Sequence, residues 1–78
     1  MVKSVKVYGT PGCPFCTKVK EFLKENGIEF ENIDLSVNQD KVQEMVQKSG
    51  QMGVPVVDIE GNIVVGFDKE KISQLLGL

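Results

Sequence analysis

The chain has 78 residues, of which 41% are hydrophobic and 26% charged, and its formal net charge is −2. These values are ordinary for one small globular domain spanning residues 1–78, and they give no electrostatic basis for binding nucleic acid or an anionic membrane surface. No apolar run approaches the roughly 18 residues of a membrane span, and the N-terminal residues lack a signal peptide's apolar segment, so we expect a cytoplasmic protein.

The first half of the chain predicts a strand, a helix and a second strand. Residues 4–8 alternate and are rich in β-branched side chains, which indicates a strand. After a loop over residues 9–12, we expect a helix to begin at Pro14, because a proline costs no hydrogen bond at the first helical position. That helix should end at Asn26-Gly27, where a glycine suits the left-handed conformation, and residues 28–35 should hold the second strand.

A second helix is predicted next, with Ser36 and Asn38 as candidate N-caps and Gly50 as its end. Val42, Met45, Val46 and Ser49 follow helical spacing at i, i+3, i+4 and i+7.

The last third predicts a β-hairpin and a final helix. Residues 54–59 are apolar, residues 60–62 form a turn and residues 63–65 a fourth strand, so the two strands pair as a hairpin. Asp68 is a candidate cap for a helix whose buried face contains Ile72, Leu75 and Leu76. The order βαβαββα predicts an α/β domain with a mixed four-stranded sheet flanked by three helices.

The chain's two cysteines, Cys13 and Cys16, stand together in the stretch G-T-P-G-C-P-F-C. Structural zinc requires four cysteine or histidine ligands, and the chain has no histidine, so one chain cannot complete a zinc site. Two chains with an added thiol could still share an iron–sulfur cluster. A disulfide across two intervening residues closes too short a loop to stabilise the fold appreciably. The pair is therefore best interpreted as a redox pair.

A redox interpretation gives each cysteine a role. Cys13 is predicted at or next to the N-cap of the first helix, where backbone N–H groups and the helix dipole favour the thiolate that attacks disulfides. Cys16, one turn along, should be more buried and act as the resolving thiol. Lys18 and Lys20 either add positive charge to this turn or form an ordinary solvated helix face.

Val54-Pro55 is the second signal, because a proline that opens an apolar strand removes a backbone donor from the sheet. Pro55 is either a simple strand-start proline or a cis-proline packed beside the cysteines. In the second case the backbone of Val54 would be free to pair with an extended substrate, in the manner of an added β-strand.

Taken together, C-P-F-C opening a helix, Gly53-Val54-Pro55 before a strand and Gly66-Phe67-Asp68 before the final helix resemble the glutaredoxins of the thioredoxin fold, over about residues 3–76. The resemblance implies that Cys13 is the nucleophile, Cys16 the resolving thiol and Pro55 the cis-proline. It also implies that glutathione is the co-substrate, that no metal is needed, and that glutathione meets the chain at Thr10, Phe15, Gly53, Val54, Gly66, Phe67 and Asp68.

Two positions depart from the glutaredoxin pattern. The loop of residues 9–12 lacks the lysine that many glutaredoxins use for the glycine carboxylate of glutathione, and Lys69 stands where an acid is usual. The segment from Val54 to the last helix is also similar to the redoxins that take electrons from thioredoxin reductase and supply ribonucleotide reductase. We therefore expect a monomeric oxidoreductase for protein disulfides and glutathione mixed disulfides, with thioredoxin reductase as the alternative donor and an iron–sulfur module as the alternative of another class.

Overall fold

The computed structural model describes residues 4–51 and 53–78 and has the predicted element order βαβαββα. The elements are β1 (Val5–Gly9), α1 (Pro14–Glu25), β2 (Glu31–Asp34), α2 (Asp40–Ser49), β3 (Val56–Ile59), β4 (Asn62–Val65) and α3 (Lys69–Leu76). Within the described residues, no helix has the length and apolar character needed to cross a membrane.

The four strands form one mixed sheet, as predicted, and their order in the sheet is β2-β1-β3-β4. Strand β1 runs parallel to β2 and antiparallel to β3, and β3 pairs with β4 as an antiparallel hairpin. Tyr8, near the end of β1, stands opposite Val56, the first residue of β3. The loop that follows β1 and the loop that precedes β3 therefore emerge at the same edge of the sheet, which brings the cysteines and Pro55 together.

The apolar side chains form two clusters, one on each face of the sheet. The cluster under α1 and α3 contains Val5, Val7, Val19, Leu23, Val57, Ile59, Val64 and Ile72. The cluster under α2 contains Tyr8, Ile33, Leu35, Met45 and Val56. Neighbouring residues of β1 divide between the clusters because successive strand side chains point to opposite faces.

The start of α2 differs from the sequence prediction. The helix begins at Asp40, and its N-cap residue, Gln39, makes no capping hydrogen bond through its side chain. Ser36 and Asn38 do not cap it because both turn back to Asp34. The Ser36 hydroxyl donates to Asp34 Oδ1 at 2.6 Å, and the Asn38 amide donates to the Asp34 carbonyl at 3.1 Å. Serine and asparagine side chains readily form such local hydrogen bonds instead of capping a helix.

Strands β2 and β3 are also shorter than predicted. Strand β2 covers four residues of the expected 28–35 segment, and β3 begins at Val56, after Pro55. Other local signals are confirmed: α2 ends at Gly50 in the left-handed conformation with φ 75°, and the Asp68 side chain caps α3 by accepting from the Lys71 N–H at 3.1 Å.

A polar network fastens α2 to the sheet. The Lys48 ammonium donates to Asp58 Oδ2 at 2.8 Å and to the Tyr8 hydroxyl at 3.1 Å, and that hydroxyl donates to Glu44 Oε2 at 2.6 Å. Asp58 is buried and also accepts from the Gly61 N–H at 2.8 Å. Each end of the network belongs to a different element, so it fixes how α2 lies across β1 and β3.

Candidate active site

Cys13 is the N-cap residue of α1, which confirms its predicted position. Its backbone is extended, with φ −93° and ψ 112°, and the Cys16 N–H donates to its sulfur at 3.2 Å. Pro14 is the first residue of the helix and contributes no N–H of its own. The half-buried Cys13 sulfur thus lies at the start of α1, at the positive end of the helix dipole.

Cys16 lies one turn further along α1 and is completely buried, so the prediction that it is the more buried thiol is confirmed. Burial, together with the Cys13 sulfur beside it, raises the pKa of the Cys16 thiol to about 11. A backbone hydrogen bond from Thr10 and the charge of Lys20 act in the opposite direction on that pKa. Both cysteines are free thiols, so the pair is in the dithiol form.

The loop before β3 lies opposite Cys13. The Val54–Pro55 peptide bond is cis, which confirms the cis-proline prediction, and Pro55 is buried. The Cys13 thiol points to the Val54 carbonyl at 3.9 Å, a long contact for a sulfur donor. From the other side, the Gly66 N–H donates to the Pro55 carbonyl at 2.8 Å, so the end of β4 holds this loop in place.

Gln51 is a contributor to this loop that the sequence analysis missed. Its side-chain amide pairs with both backbone groups of Gly53: the Gly53 N–H donates to Gln51 Oε1 at 2.6 Å, and Gln51 Nε2 donates to the Gly53 carbonyl at 2.9 Å. A Cβ at Gly53 would stand 2.6 Å from Gln51 Oε1, so the close pairing favours glycine here. Nothing in the sequence distinguishes this glutamine from a surface residue, because its role appears only in the folded loop.

Of the other residues expected at the site, Thr10 and Phe15 lie beside the cysteines. The Thr10 carbonyl accepts from the Cys13 N–H at 3.2 Å. Phe15 is an exposed aromatic side chain, and Lys18 Nζ lies 5.3 Å from its ring centroid. Exposed apolar surface therefore lies next to Cys13 in the sequence, on the first turn of α1.

The residues that follow β4 contact different parts of the structure. Gly66 touches the cis-proline loop, as described, with φ 78°. Phe67 instead packs against the Phe22 ring of α1, with the centroids 6.1 Å apart, and so belongs to the core. The exposed Asp68 carboxylate caps α3, and Lys69 Nζ lies 5.6 Å from the Phe22 ring centroid.

A cavity of about 150 Å³ lies beside the loop that contacts Cys16. It is lined by Gly9, Thr10, Pro11, Lys20, Asn32 and Asp34. Lys20 of α1 and Asp34 of β2 therefore line one cavity, two of whose other lining residues, Gly9 and Thr10, lie beside Cys16. The sequence alone did not predict this arrangement. In the described part of the chain, no group of three or more histidine, cysteine, aspartate or glutamate side chains has a metal-binding arrangement.

The glutaredoxin family model matches residues 5–64. The chain belongs to the glutaredoxin family. It is 44% identical over 72 residues to an uncharacterized glutaredoxin-like 8.6 kDa protein in a rubredoxin operon of Clostridium pasteurianum, covering 92% of this chain and 96% of that protein. It is 38% identical over 76 residues to the N-acetyl-S-hydroxy-L-cysteine reductase of Bacillus subtilis, covering 95% and 81%.

The solved structure of a glutaredoxin from Archaeoglobus fulgidus has a TM-score of 0.86 to this chain, with 32% identity over 95% of this chain and 86% of the other. This likeness confirms the thioredoxin-like fold. Glutaredoxins are in general thiol–disulfide oxidoreductases that use glutathione as a reductant, and the chain has the family's cysteine pair at Cys13 and Cys16.

Proposed function

We propose that this glutaredoxin reduces protein disulfides and glutathione mixed disulfides, with Cys13 as nucleophile and Cys16 as resolving thiol. The observation that carries the proposal is the placement of the Cys13 sulfur at the start of α1, opposite the Val54 carbonyl and with the buried Cys16 N–H bonded to it. A surface thiolate is the attacking species in disulfide exchange, and a second thiol within one helical turn can release the product.

The reaction needs two exchanges. In the first, the Cys13 thiolate attacks one sulfur of the substrate disulfide, the substrate S–S bond breaks, and one substrate thiol leaves with a proton. In the second, Cys16 loses its proton and attacks Cys13 Sγ, which releases the second substrate thiol and leaves a Cys13–Cys16 disulfide. Two electrons from a thiol reductant then restore the dithiol. For a glutathione mixed disulfide, a second glutathione can replace Cys16 in the release step.

Glutathione recognition is proposed at the surface that surrounds Cys13. In the described part of the chain no hydrogen bond to the Val54 N–H is present, so the Val54 N–H and carbonyl can both pair with the extended cysteine moiety. Thr10, Phe15, Gly53 and Gly66 would line the same surface, Asp68 would meet the γ-glutamyl amine, and Phe67 would support this segment from the core.

Affinity for glutathione should be lower than in glutaredoxins that have both charged partners. The loop of residues 9–12 has no lysine for the glycine carboxylate, and Lys69 adds a positive charge near the γ-glutamyl amine. Charge-assisted hydrogen bonds contribute about 1.5–3 kcal/mol each, so losing one would weaken binding by roughly an order of magnitude or more. This is why thioredoxin reductase stays the alternative electron donor.

The test is an NADPH-coupled assay with a small mixed-disulfide substrate in two parallel arms. One arm contains glutathione and glutathione reductase, and the other contains thioredoxin reductase. We expect turnover in the glutathione arm, loss of all turnover in Cys13→Ser, and retained turnover of glutathione mixed disulfides in Cys16→Ser. Substantial activity of Cys13→Ser would disprove the assignment of the nucleophile, and turnover only with thioredoxin reductase would disprove glutathione dependence.

A second candidate substrate is a cysteine sulfenic acid, which the similarity to the Bacillus subtilis reductase favours. The Cys13 thiolate would attack the sulfur of the S–OH group, hydroxide would leave, and the mixed disulfide would again be resolved by Cys16. Replacing the mixed disulfide in the same assay with N-acetyl-S-hydroxy-cysteine tests this directly. Turnover of that substrate by the wild-type protein but not by Cys13→Ser is the supporting result, and a wild-type rate equal to the enzyme-free background contradicts it.

A further inference from the structure

The Cys16 sulfur lies against the backbone of the loop that follows β1. The Cys16 side chain is completely buried, and a Cβ built on Gly9 would stand 2.5 Å from its sulfur. Backbone of Thr10 donates a hydrogen bond to the same sulfur. Gly9 and Thr10 also form part of the wall of the 150 Å³ cavity, so only one layer of backbone separates Cys16 from that space.

Lys20 forms another part of the cavity wall. It follows Cys16 by four residues on α1, so both side chains lie on the same face of the helix. The side chain is partly buried, and in residues 4–51 and 53–78 its ammonium has no ion-pair partner within 4.0 Å. Its positive charge favours the thiolate form of Cys16, although burial and the Cys13 sulfur act more strongly in the opposite direction on the pKa of Cys16.

Asp34 lies across the same cavity, at the end of β2, and does not cancel this charge by contact. Its Oδ1 instead accepts from the Ser36 N–H at 2.9 Å and from the Ser36 hydroxyl at 2.6 Å. The charge of Lys20 also helps to lower the pKa of the Asp34 carboxyl. The titratable groups that act on Cys16 are Cys13 at the start of α1 and Lys20, one turn after Cys16. Of these, only Lys20 favours a negative charge on Cys16.

We propose that Lys20 is a positioning residue for the resolving step, in which its ammonium stabilises the thiolate of Cys16. The proposal rests on the proposed function and adds that Lys20 acts on the second exchange and not on the first. During resolution the Cys16 proton passes to water, the thiolate attacks Cys13 Sγ, the bond from Cys13 to the substrate sulfur breaks, and the substrate leaves as a thiol. When the Cys13–Cys16 disulfide is later reduced by attack at Cys13, Cys16 leaves as a thiolate and Lys20 stabilises it again.

The experiment follows both exchanges in a single turnover with dithiodipyridine, an uncharged disulfide whose thiol product absorbs light. The first product released reports attack by Cys13, and the second reports resolution by Cys16. We expect Lys20→Gln to slow the second phase about three- to tenfold at neutral pH and to leave the first phase unchanged. The pH profile of the second phase should move up by about 0.5–1 unit, which is the same factor on a logarithmic scale.

Two variants make the result specific. Lys20→Arg keeps the positive charge and should restore the second phase to within about twofold of wild type. Lys24→Gln removes a lysine one turn further along α1, which lines an outer groove but not the cavity, and should match wild type in both phases. An unchanged second phase in Lys20→Gln, equal slowing of both phases, or failure of Lys20→Arg to restore the rate would overturn the role of Lys20. Absence of the first phase in the wild-type protein would instead overturn the proposed function itself.

Discussion

The network that fastens α2 to the sheet makes a quantitative prediction for Lys48→Met. Methionine keeps the apolar stem but loses the donors to Asp58 Oδ2 and the Tyr8 hydroxyl, at 2.8 and 3.1 Å. The Asp58 side chain is 10% exposed, so in the variant its carboxylate would stay buried. Of its hydrogen bonds to the described residues, the one from the Gly61 N–H would remain. Charge-assisted hydrogen bonds contribute about 1.5–3 kcal/mol. Because the Lys48 side chain is 33% exposed and partly screened by solvent, we expect a loss near the lower end, about 1.5–2 kcal/mol.

For a domain of this size, that loss of unfolding free energy corresponds to a fall in melting temperature of about 6–16 °C. Thermal and urea unfolding followed by circular dichroism measure both quantities. Lys41→Met is the matched control on the same helix, because Lys41 makes only an exposed ion pair with Glu44 at 3.7 Å, and it should cost less than about 0.5 kcal/mol. If Lys48→Met were no less stable than Lys41→Met, the network would not be the connection that we describe.

The same pair of proteins tests the electrostatics of Asp58. Burial alone would raise the pKa of its carboxyl, but the Lys48 ammonium and the Gly61 N–H outweigh burial and hold that pKa below its ordinary value. A depressed pKa contributes stability that is fully present above the ordinary value and is lost as the pH falls through the folded value. The stability gap between wild type and Lys48→Met should therefore be constant near pH 7. It should shrink in acid, starting as the pH falls through the higher pKa of Asp58 in the variant and continuing until it passes the lower pKa of Asp58 in wild type. A gap that stays constant down to pH 2 would contradict this assignment.

Two further predictions concern other parts of the fold. Gly9→Ala places a methyl group 2.5 Å from the Cys16 sulfur and should cost about 1–3 kcal/mol of unfolding free energy, measured by urea titration. Gly12→Ala meets open space and should change the unfolding free energy by less than about 0.5 kcal/mol in the same titration. Equal effects of the two variants would refute the close contact at Gly9. Asp68→Ala removes the cap on the Lys71 N–H and should cost about 1 kcal/mol, with Asp68→Asn restoring most of it, and a silent Asp68→Ala would show that the cap is not needed.

Local sequence signals predicted the order of the elements because each one acts within a few residues. Pro14 begins α1, Gly50 ends α2 and Asp68 caps α3 in the structure as in the prediction. The prediction for the start of α2 was wrong because the side chains of Ser36 and Asn38 could either cap the helix or bind a nearby residue. Their side chains bind Asp34, a choice that depends on where β2 ends.

The candidate site was predictable to the extent that it lies in motifs. The cysteine pair and Val54-Pro55 are recognisable from residue types alone, and the structure brings them together. The role of Gln51 was not predictable, because a glutamine in a loop acquires meaning only from what lies beside it after folding. For Lys20 the sequence left two interpretations open, a charge that acts on the cysteine turn or an ordinary solvated helix face. The pairing of Gln51 with Gly53 and the cavity next to Cys16 are properties of the tertiary structure.

The two halves of the site are contributed at very different moments of chain synthesis. Both cysteines have been synthesised once Cys16 is added. Val54, which faces Cys13, comes 41 residues after Cys13, and Gly66, which donates a hydrogen bond to the Pro55 carbonyl, follows later still. A nascent or cleaved chain that ends before β3 therefore has the complete thiol pair without the surface that would select its substrate. The surface opposite Cys13 is therefore complete only after the β3–β4 hairpin has joined the sheet.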